Sequence, residues 1–202
     1  MSKNKLIKKL NEEYSLINKD KEIVFGDGNL NSKIMFIGEA PGKEEVRQKK
    51  PFVGQAGQNL TEFLDFAGLK RNEVYITNAI KFRLSKTNNK TGRVINRPAE
   101  RKEIEDGRYF LYKEIGIVLP DYIISLGNVA LRAVTGNFRI SIGEVHGMFI
   151  KNKIDKNLYN LFPLYHPASI IYNRKLEKIY KKDICTFKNY YSIKLKRKNN
   201  ID

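Results

Sequence analysis

Apolar and polar positions follow two rhythms along this chain. In residues 3–18, Leu6, Ile7, Leu10, Tyr14 and Ile17 recur at helical spacing. The stretch EIVFGDGN (22–29) reads as an extended piece closed by a Gly-Asp-Gly turn. IMFIG (34–38) is an unbroken apolar run ending in glycine, the pattern of a strand buried on both faces. In residues 57–69, Leu60, Phe63, Leu64 and Ala67 fall at i, i+3, i+4 and i+7 before Gly68, predicting an amphipathic helix. VYITNAI (74–80) reads as a second strand. Residues 83–97 are polar, basic and without period, predicting a long surface loop. Pro98 opens a helix that turns Ile104, Leu111 and Ile115 inward. DYIISLG (121–127) is a third strand followed by a short helix, and 159–169 holds a fourth strand running into a proline turn. From about residue 173, Leu176, Ile179, Tyr180, Ile184, Phe187 and Tyr190 outline a last helix with a basic outer face and a loose tail.

Strands alternating with helices predict an α/β fold: three layers, α/β/α, around a mostly parallel four-stranded sheet. The 202 residues suit a single domain, with its motif-bearing core at about 23–174 and a basic C-terminal helix and tail at about 175–202.

Charge changes the picture most. Lys and Arg number 38 against 22 Asp and Glu, a net charge of +16, and so positive a surface attracts polyanions, nucleic acid first among them. A lysine-rich proteome would give the same excess, so charge alone does not decide. The chain has neither an apolar run long enough to span a bilayer nor a signal-peptide pattern, and a cytoplasmic location without membrane contact is expected. One cysteine, Cys185, excludes an internal disulfide and an all-cysteine metal site. With no sustained heptad, a monomer is expected.

In parallel sheets, ligands sit beyond the carboxyl ends of the strands. Three polar residues fall there: Glu39 after the first strand, Asn78 at the end of the second, and His166 after the fourth. The turn GEAPG (38–42) is neither a dinucleotide fingerprint nor a P-loop, and its carboxylate disfavours phosphate. An isolated histidine is usually structural, and that reading holds for His146; His166 shares its strand-end position with Glu39 and Asn78. The Asn78 amide offers a donor and an acceptor side by side, as needed to read a nucleobase edge. Phe52, between Pro51 and Gly54, is either core or a ring presented to a flat ligand.

The segments GEAPG (38–42), PFVGQAG (51–57), ITNAIKFR (76–83), IISLGNVAL (123–131) and YHPASII (165–171) resemble, in order, the motifs of the uracil-DNA glycosylase superfamily, and most of all its family 4 branch, the bacterial and archaeal iron–sulfur type. The resemblance implies a DNA repair enzyme that flips uracil out of single- or double-stranded DNA and hydrolyses its N-glycosidic bond. It implies a base pocket walled by Gly38, Ala40 and Gly42, with Phe52 stacking on the base and Asn78 reading its edge. His166 would donate toward uracil O2. Glu39 would orient water, steady the developing sugar charge or exclude a C5 methyl group. Ile170 and Ile171 would supply the apolar wedge, and Lys81, Arg83 and Arg174 the contacts to the DNA backbone. The four cluster cysteines of that branch are absent: their places fall at Asn11, Tyr14, Phe82 and Gly107. No metal and no cofactor is therefore expected, with Phe82 and Tyr14 filling the space. A DNA-binding relative without catalysis, and a glycosylase for another deaminated base such as hypoxanthine or xanthine, remain open.

Overall fold

The computed structural model describes residues 1–199; the side chains of Ile171, Tyr172 and residues 195–199 lie outside the described set. In chain order the elements are α1 (Lys3–Ile17), β1 (Asp27–Gly28), β2 (Ile34–Gly38), α2 (Lys43–Gln48), α3 (Gln55–Ala67), β3 (Tyr75–Asn78), β4 (Ser85–Thr87), β5 (Val94–Asn96), α4 (Arg101–Val118), β6 (Tyr122–Leu126), α5 (Gly127–Thr135), α6 (Ile142–Val145), β7 (Ile150–Ile154), β8 (Asn157–Leu164), α7 (Pro167–Tyr172) and α8 (Leu176–Asn199).

The main sheet has the order β1-β3-β2-β6-β8-β7. Its four central strands are parallel: β2 pairs with β3 and β6, and β6 pairs with β8. These are the four strands read from the sequence. The sheet is nevertheless six-stranded, because β1 and β7 add antiparallel edges. Strand β7 carries two lysines on an edge and pairs with β8 across the Asp155-Lys156 turn, where Asp155 adopts a φ of 51°. Only its inward residues are apolar, which is why its sequence does not stand out as a strand. A second difference lies in residues 83–97, where β4 and β5 form a separate two-stranded hairpin instead of an irregular loop. Helix α4 starts three residues after Pro98, with Glu100 as its N-cap.

Successive residues of a strand face opposite sides of the sheet. Met35 and Ile37 of β2 join Leu111 and Ile115 of α4 and Leu131 and Val134 of α5 on one side. Ile34 and Phe36 join Leu60, Phe63 and Leu64 of α3 and Ile184 and Phe187 of α8 on the other. This is the three-layer α/β/α arrangement. Phe36, Phe63, Phe162 and Phe187 are fully buried, each contributing about 1.5–3 kcal/mol by removal from water. Outside the layers, α1 lies on α4, with Leu10, Tyr14 and Phe110 forming a third small cluster. From β2 the chain steps outward to β3, then crosses back past β2 to β6. That reversal of winding opens a crevice at the carboxyl ends of the strands.

Candidate active site

Gly38 ends β2 in register with Asn78 at the end of β3. Its lack of a side chain lets two groups close over it: a Cβ at this position would overlap both Phe52 Cζ and Asn78 Oδ1. Phe52 itself is buried and adopts a φ of 52°, in the left-handed region that bulky residues avoid. Such a conformation persists only where the surroundings fix it. Arg71 does so, donating to the carbonyls of Pro51 (2.5 Å) and Phe52 (3.1 Å). The Phe52 ring lies 5.9 Å from the His166 ring, the two planes inclined by 30°.

Asn78 is buried except at the cavity, and its side-chain amide makes no hydrogen bond among the described residues. Parallel ladder bonds fix its backbone, and Ala79 N–H donates to the Gly38 carbonyl at 2.9 Å. His166 caps the N-terminus of α7: its Nδ1 accepts from the Ala168 backbone N–H at 3.1 Å. An accepting Nδ1 places the ring proton on Nε2. Burial holds the imidazole neutral, pushing its pKa down to about 4 against a smaller upward pull from Glu45. The ring is thus a neutral Nε2–H donor.

Phe52, Asn78 and His166 line one cavity of about 310 Å³, together with Ala40, Gly42, Gln55, Asn96 and Ala168. Glu45 braces its two glycine segments: Oε1 accepts from the N–H groups of Val53 (3.1 Å) and Gly54 (2.8 Å), and Oε2 from Gly42 (3.1 Å). Asn59 of α3 donates to the Pro167 carbonyl at 2.9 Å, fastening the histidine turn to the same wall.

The structure thus brings together Gly38, Ala40, Gly42, Phe52, Asn78 and His166. Glu39 stands one residue past β2 but is not part of the cavity lining. Burial raises its pKa, and a hydrogen bond from the Ala99 backbone opposes that. Arg83 is half-buried and donates to Asn96 Oδ1 at 2.9 Å at the cavity rim. Ile170 and Arg174 line a neighbouring groove between α3 and α8, which Gln55 joins to the cavity. The side chain of Ile171 lies outside the described residues. Lys81 departs from expectation. Its ammonium is buried, paired with Glu114 of α4 at 2.5 Å, and donates to Thr77 Oγ1 (2.5 Å) and the Asn78 carbonyl (2.6 Å). It therefore faces the core and not a DNA backbone. Sequence reasoning missed Glu45, hidden in the charged run KEEVRQKK (43–50), and Asn96, in what read as loop.

The places that correspond to cluster cysteines do converge. Tyr14, Phe82 and Gly107 line one cavity of about 420 Å³, and Asn11 lies beside Tyr14 and Phe110. The donor set does not suit an iron–sulfur cluster. Neither thiolate nor imidazole is present there, and no metal-binding group of three His, Cys, Asp or Glu occurs among the described residues. Cys185 is exposed on α8. Gly107 cannot carry a ligand at all: a Cβ there would stand 2.6 Å from the Ala79 carbonyl oxygen. The space is held by rings, with Tyr14 edge-on to Phe110 at 4.8 Å and to Phe25 at 6.2 Å. The Tyr14 hydroxyl accepts from the Lys81 backbone N–H at 3.2 Å.

The parallel α/β sheet thus presents a ring, an amide without a hydrogen-bond partner among the described residues and a neutral imidazole at its strand ends to one small cavity, an arrangement with the chemistry to hold a planar, polar heterocycle. Comparison with known proteins makes the class particular. The family model of the Uracil DNA glycosylase superfamily matches residues 25–188, and the chain belongs to that superfamily. It is 37% identical over 171 residues to a Type-4 uracil-DNA glycosylase of Thermotoga maritima, covering 83% of this chain and 82% of that protein. It is 36% identical over 178 residues to a Type-4 uracil-DNA glycosylase of Saccharolobus solfataricus, covering 86% and 78%. A DNA polymerase of Bacillus phage SP01 is 28% identical over 160 residues, which span 79% of this chain and 16% of that much longer protein.

Proposed function

We propose that this protein is a monofunctional uracil-DNA glycosylase of DNA repair, acting without a metal or cofactor. The observation that carries this reading is the convergence of a neutral His166 donor, the unpartnered Asn78 amide and the Phe52 ring, set by a backbone at positive φ, on one cavity.

The uracil nucleotide rotates out of the stack, at about a few kcal/mol, and enters the cavity. Phe52 stacks on the base. The Asn78 amide accepts from N3–H and donates to O4, a pairing that cytosine inverts. As the C1′–N1 bond breaks, its electron pair passes into the uracil ring and accumulates at O2, where His166 Nε2–H donates. Donors fixed before the reaction contribute on the order of 3 kcal/mol to such a step. A water oxygen then bonds to C1′. One of its protons goes to uracil and the products are an abasic site and free uracil. Glu39 has a supporting role: its carboxyl, tied to the Ala99 backbone, fixes the turn from which Ala40 and Gly42 face the base. Ile170 and Arg174, beside the cavity, supply the apolar wedge and a phosphate contact. No described helix is long and apolar enough to cross a membrane; we assign the protein to the cytoplasm, as a monomer.

The test is base release from a labelled single-uracil oligonucleotide, read by alkali cleavage. Wild type cleaves, and His166→Ala and Asn78→Ala each lose ~10²-fold in kcat/KM. Cleavage of hypoxanthine or xanthine substrates with uracil untouched would replace uracil as the substrate. Tight binding of uracil-DNA without release of any base would leave a binding protein.

A further inference from the structure

The β4–β5 hairpin has no buried strand residue. All six strand residues, Ser85–Thr87 and Val94–Asn96, are exposed, and an isolated two-stranded ribbon is at best marginally stable in water. It is held at its base, where Arg97 N–H donates to the Leu84 carbonyl at 3.0 Å and Leu84 is buried in the core. At its tip, Asn88 N–H donates to the Arg93 carbonyl at 2.8 Å and Gly92 turns the chain at a φ of 66°. So exposed an element, anchored chiefly at its base and placed at the rim of the site, is suited to an external partner.

Its composition indicates which. Residues 83–97 contain Arg83, Lys86, Lys90, Arg93 and Arg97 and no acidic residue. Arg97 is spent on Glu103, at 2.6 Å, and Arg83 on Asn96. Lys86, Lys90 and Arg93 have no ion-pair partner among the described residues. The register Ser85↔Asn96, Lys86↔Ile95, Thr87↔Val94 puts Asn96, Thr87 and Val94 on one face of the ribbon. Asn96 lines the base cavity, so Val94, 56% exposed, continues that face away from the cavity mouth.

We propose that this ribbon is a second DNA-contacting arm, lying along the strand that flanks the extruded nucleotide. Lys86, Lys90 and Arg93 neutralise backbone phosphates, and Val94 lies against the neighbouring base. The arm forms one lip of the cavity and α7 the other, so the DNA strand is held on both sides of the nucleotide. This rests on DNA being the substrate, and not on which base is removed.

The test uses the full chain carrying Lys86→Ala, Lys90→Ala and Arg93→Ala together. All three side chains are exposed, so the thermal midpoint stays that of wild type. Affinity for a uracil-free oligonucleotide is measured across a salt series. Loss of three phosphate contacts lowers the slope of log K against log salt by about 2–3. A control with three exposed lysines of the N-terminal region removed, Lys5→Ala, Lys9→Ala and Lys19→Ala, changes it by less than about 1. An unaltered slope in the hairpin variant, or an equal fall in the control, overturns the proposal. Wild type without affinity for DNA at any salt overturns it together with the proposed function. Normal DNA affinity without uracil release leaves the arm standing and removes only the assigned reaction.

Discussion

Lys81 Nζ lies 2.5 Å from Glu114 Oε2, and the two side chains are 5% and 2% exposed. The ammonium's other hydrogen bonds go to Thr77 Oγ1 and the Asn78 carbonyl, while Tyr75 OH donates to Glu114 Oε1 at 2.9 Å. A charge pair thus sits beneath the strand end that carries the Asn78 amide. Breaking it strands a buried charge, so Lys81→Met costs about 3–5 kcal/mol in urea unfolding. The double variant Lys81→Met/Glu114→Leu removes both charges and regains most of that loss. Its uracil excision still falls about tenfold, a loss of ~1.4 kcal/mol in the barrier, because the Asn78 carbonyl has lost its donor. A stable double variant with wild-type kcat/KM would show that the pair serves stability alone.

His166 governs the acid side of the pH profile. Its pKa in the folded protein is about 4, held there by burial, against about 6.5 in the unfolded chain. In the proposed reaction the neutral ring is the donor. Excision therefore stays level as pH falls through the usual histidine range and drops only near pH 4. Stability follows the same window. Between about pH 6.5 and 4 the unfolded chain binds a proton that the native one refuses, so this site's contribution is full above the upper value. It is lost on acidification, by about 3 kcal/mol in all. An activity limb between pH 6 and 7, removed in His166→Gln, would contradict a neutral donor.

Glu45 is tested through the turns it braces. Replacement by Ala leaves the N–H groups of Gly42, Val53 and Gly54 to water. Each hydrogen bond to a charged acceptor is worth about 1.5–3 kcal/mol, and partial exposure of the site puts the total loss near the lower figure. The larger effect is on activity, because Glu45 holds Val53 and Gly54 just after Phe52 and so shares with Arg71 the fixing of that segment. Expected is a fall in kcat/KM of ~10–10², with rescue by Glu45→Gln only partial, since its amide nitrogen cannot accept. A variant with full activity and unchanged urea midpoint would remove Glu45 from the site's architecture.

The central sheet was legible because β2 is an unbroken apolar run and β3, β6 and the second half of β8 are largely apolar and buried, the signature of strands covered on both faces. Asn78 and His166 were legible for a related reason: polar residues at the ends of such runs have few structural uses. What escaped depends on distant partners. Lys81 reads as a surface cation until Glu114, 33 positions later, folds against it. The carboxylate of Glu45 looks solvated in its charged run, though three backbone donors fix it. Strands β1 and β7 are edges and need apolar residues on one face at most. The β4–β5 ribbon needs none, so no periodicity announced it.

The small cluster under α1 gathers rings at the places that correspond to the cluster cysteines. Tyr14 is buried against Phe110 and Phe25, and burial pushes its phenol up to about 12. Its hydroxyl also holds the Lys81 backbone N–H. If packing supplies the stability here, iron chelators and oxidants leave the thermal midpoint unchanged, and the purified protein shows no visible absorption. Tyr14→Ala then opens a cavity between α1 and α4 and costs about 3–5 kcal/mol, whereas Tyr14→Phe keeps the ring and loses about 1 kcal/mol for one hydrogen bond. The same ranking should appear in excision, since Tyr14 reaches Asn78 only through Lys81: Ala lowers it and Phe leaves it within about twofold. A chelator-sensitive midpoint, or iron bound in stoichiometric amount, would mean that residues other than those at 11, 14, 82 and 107 hold a metal.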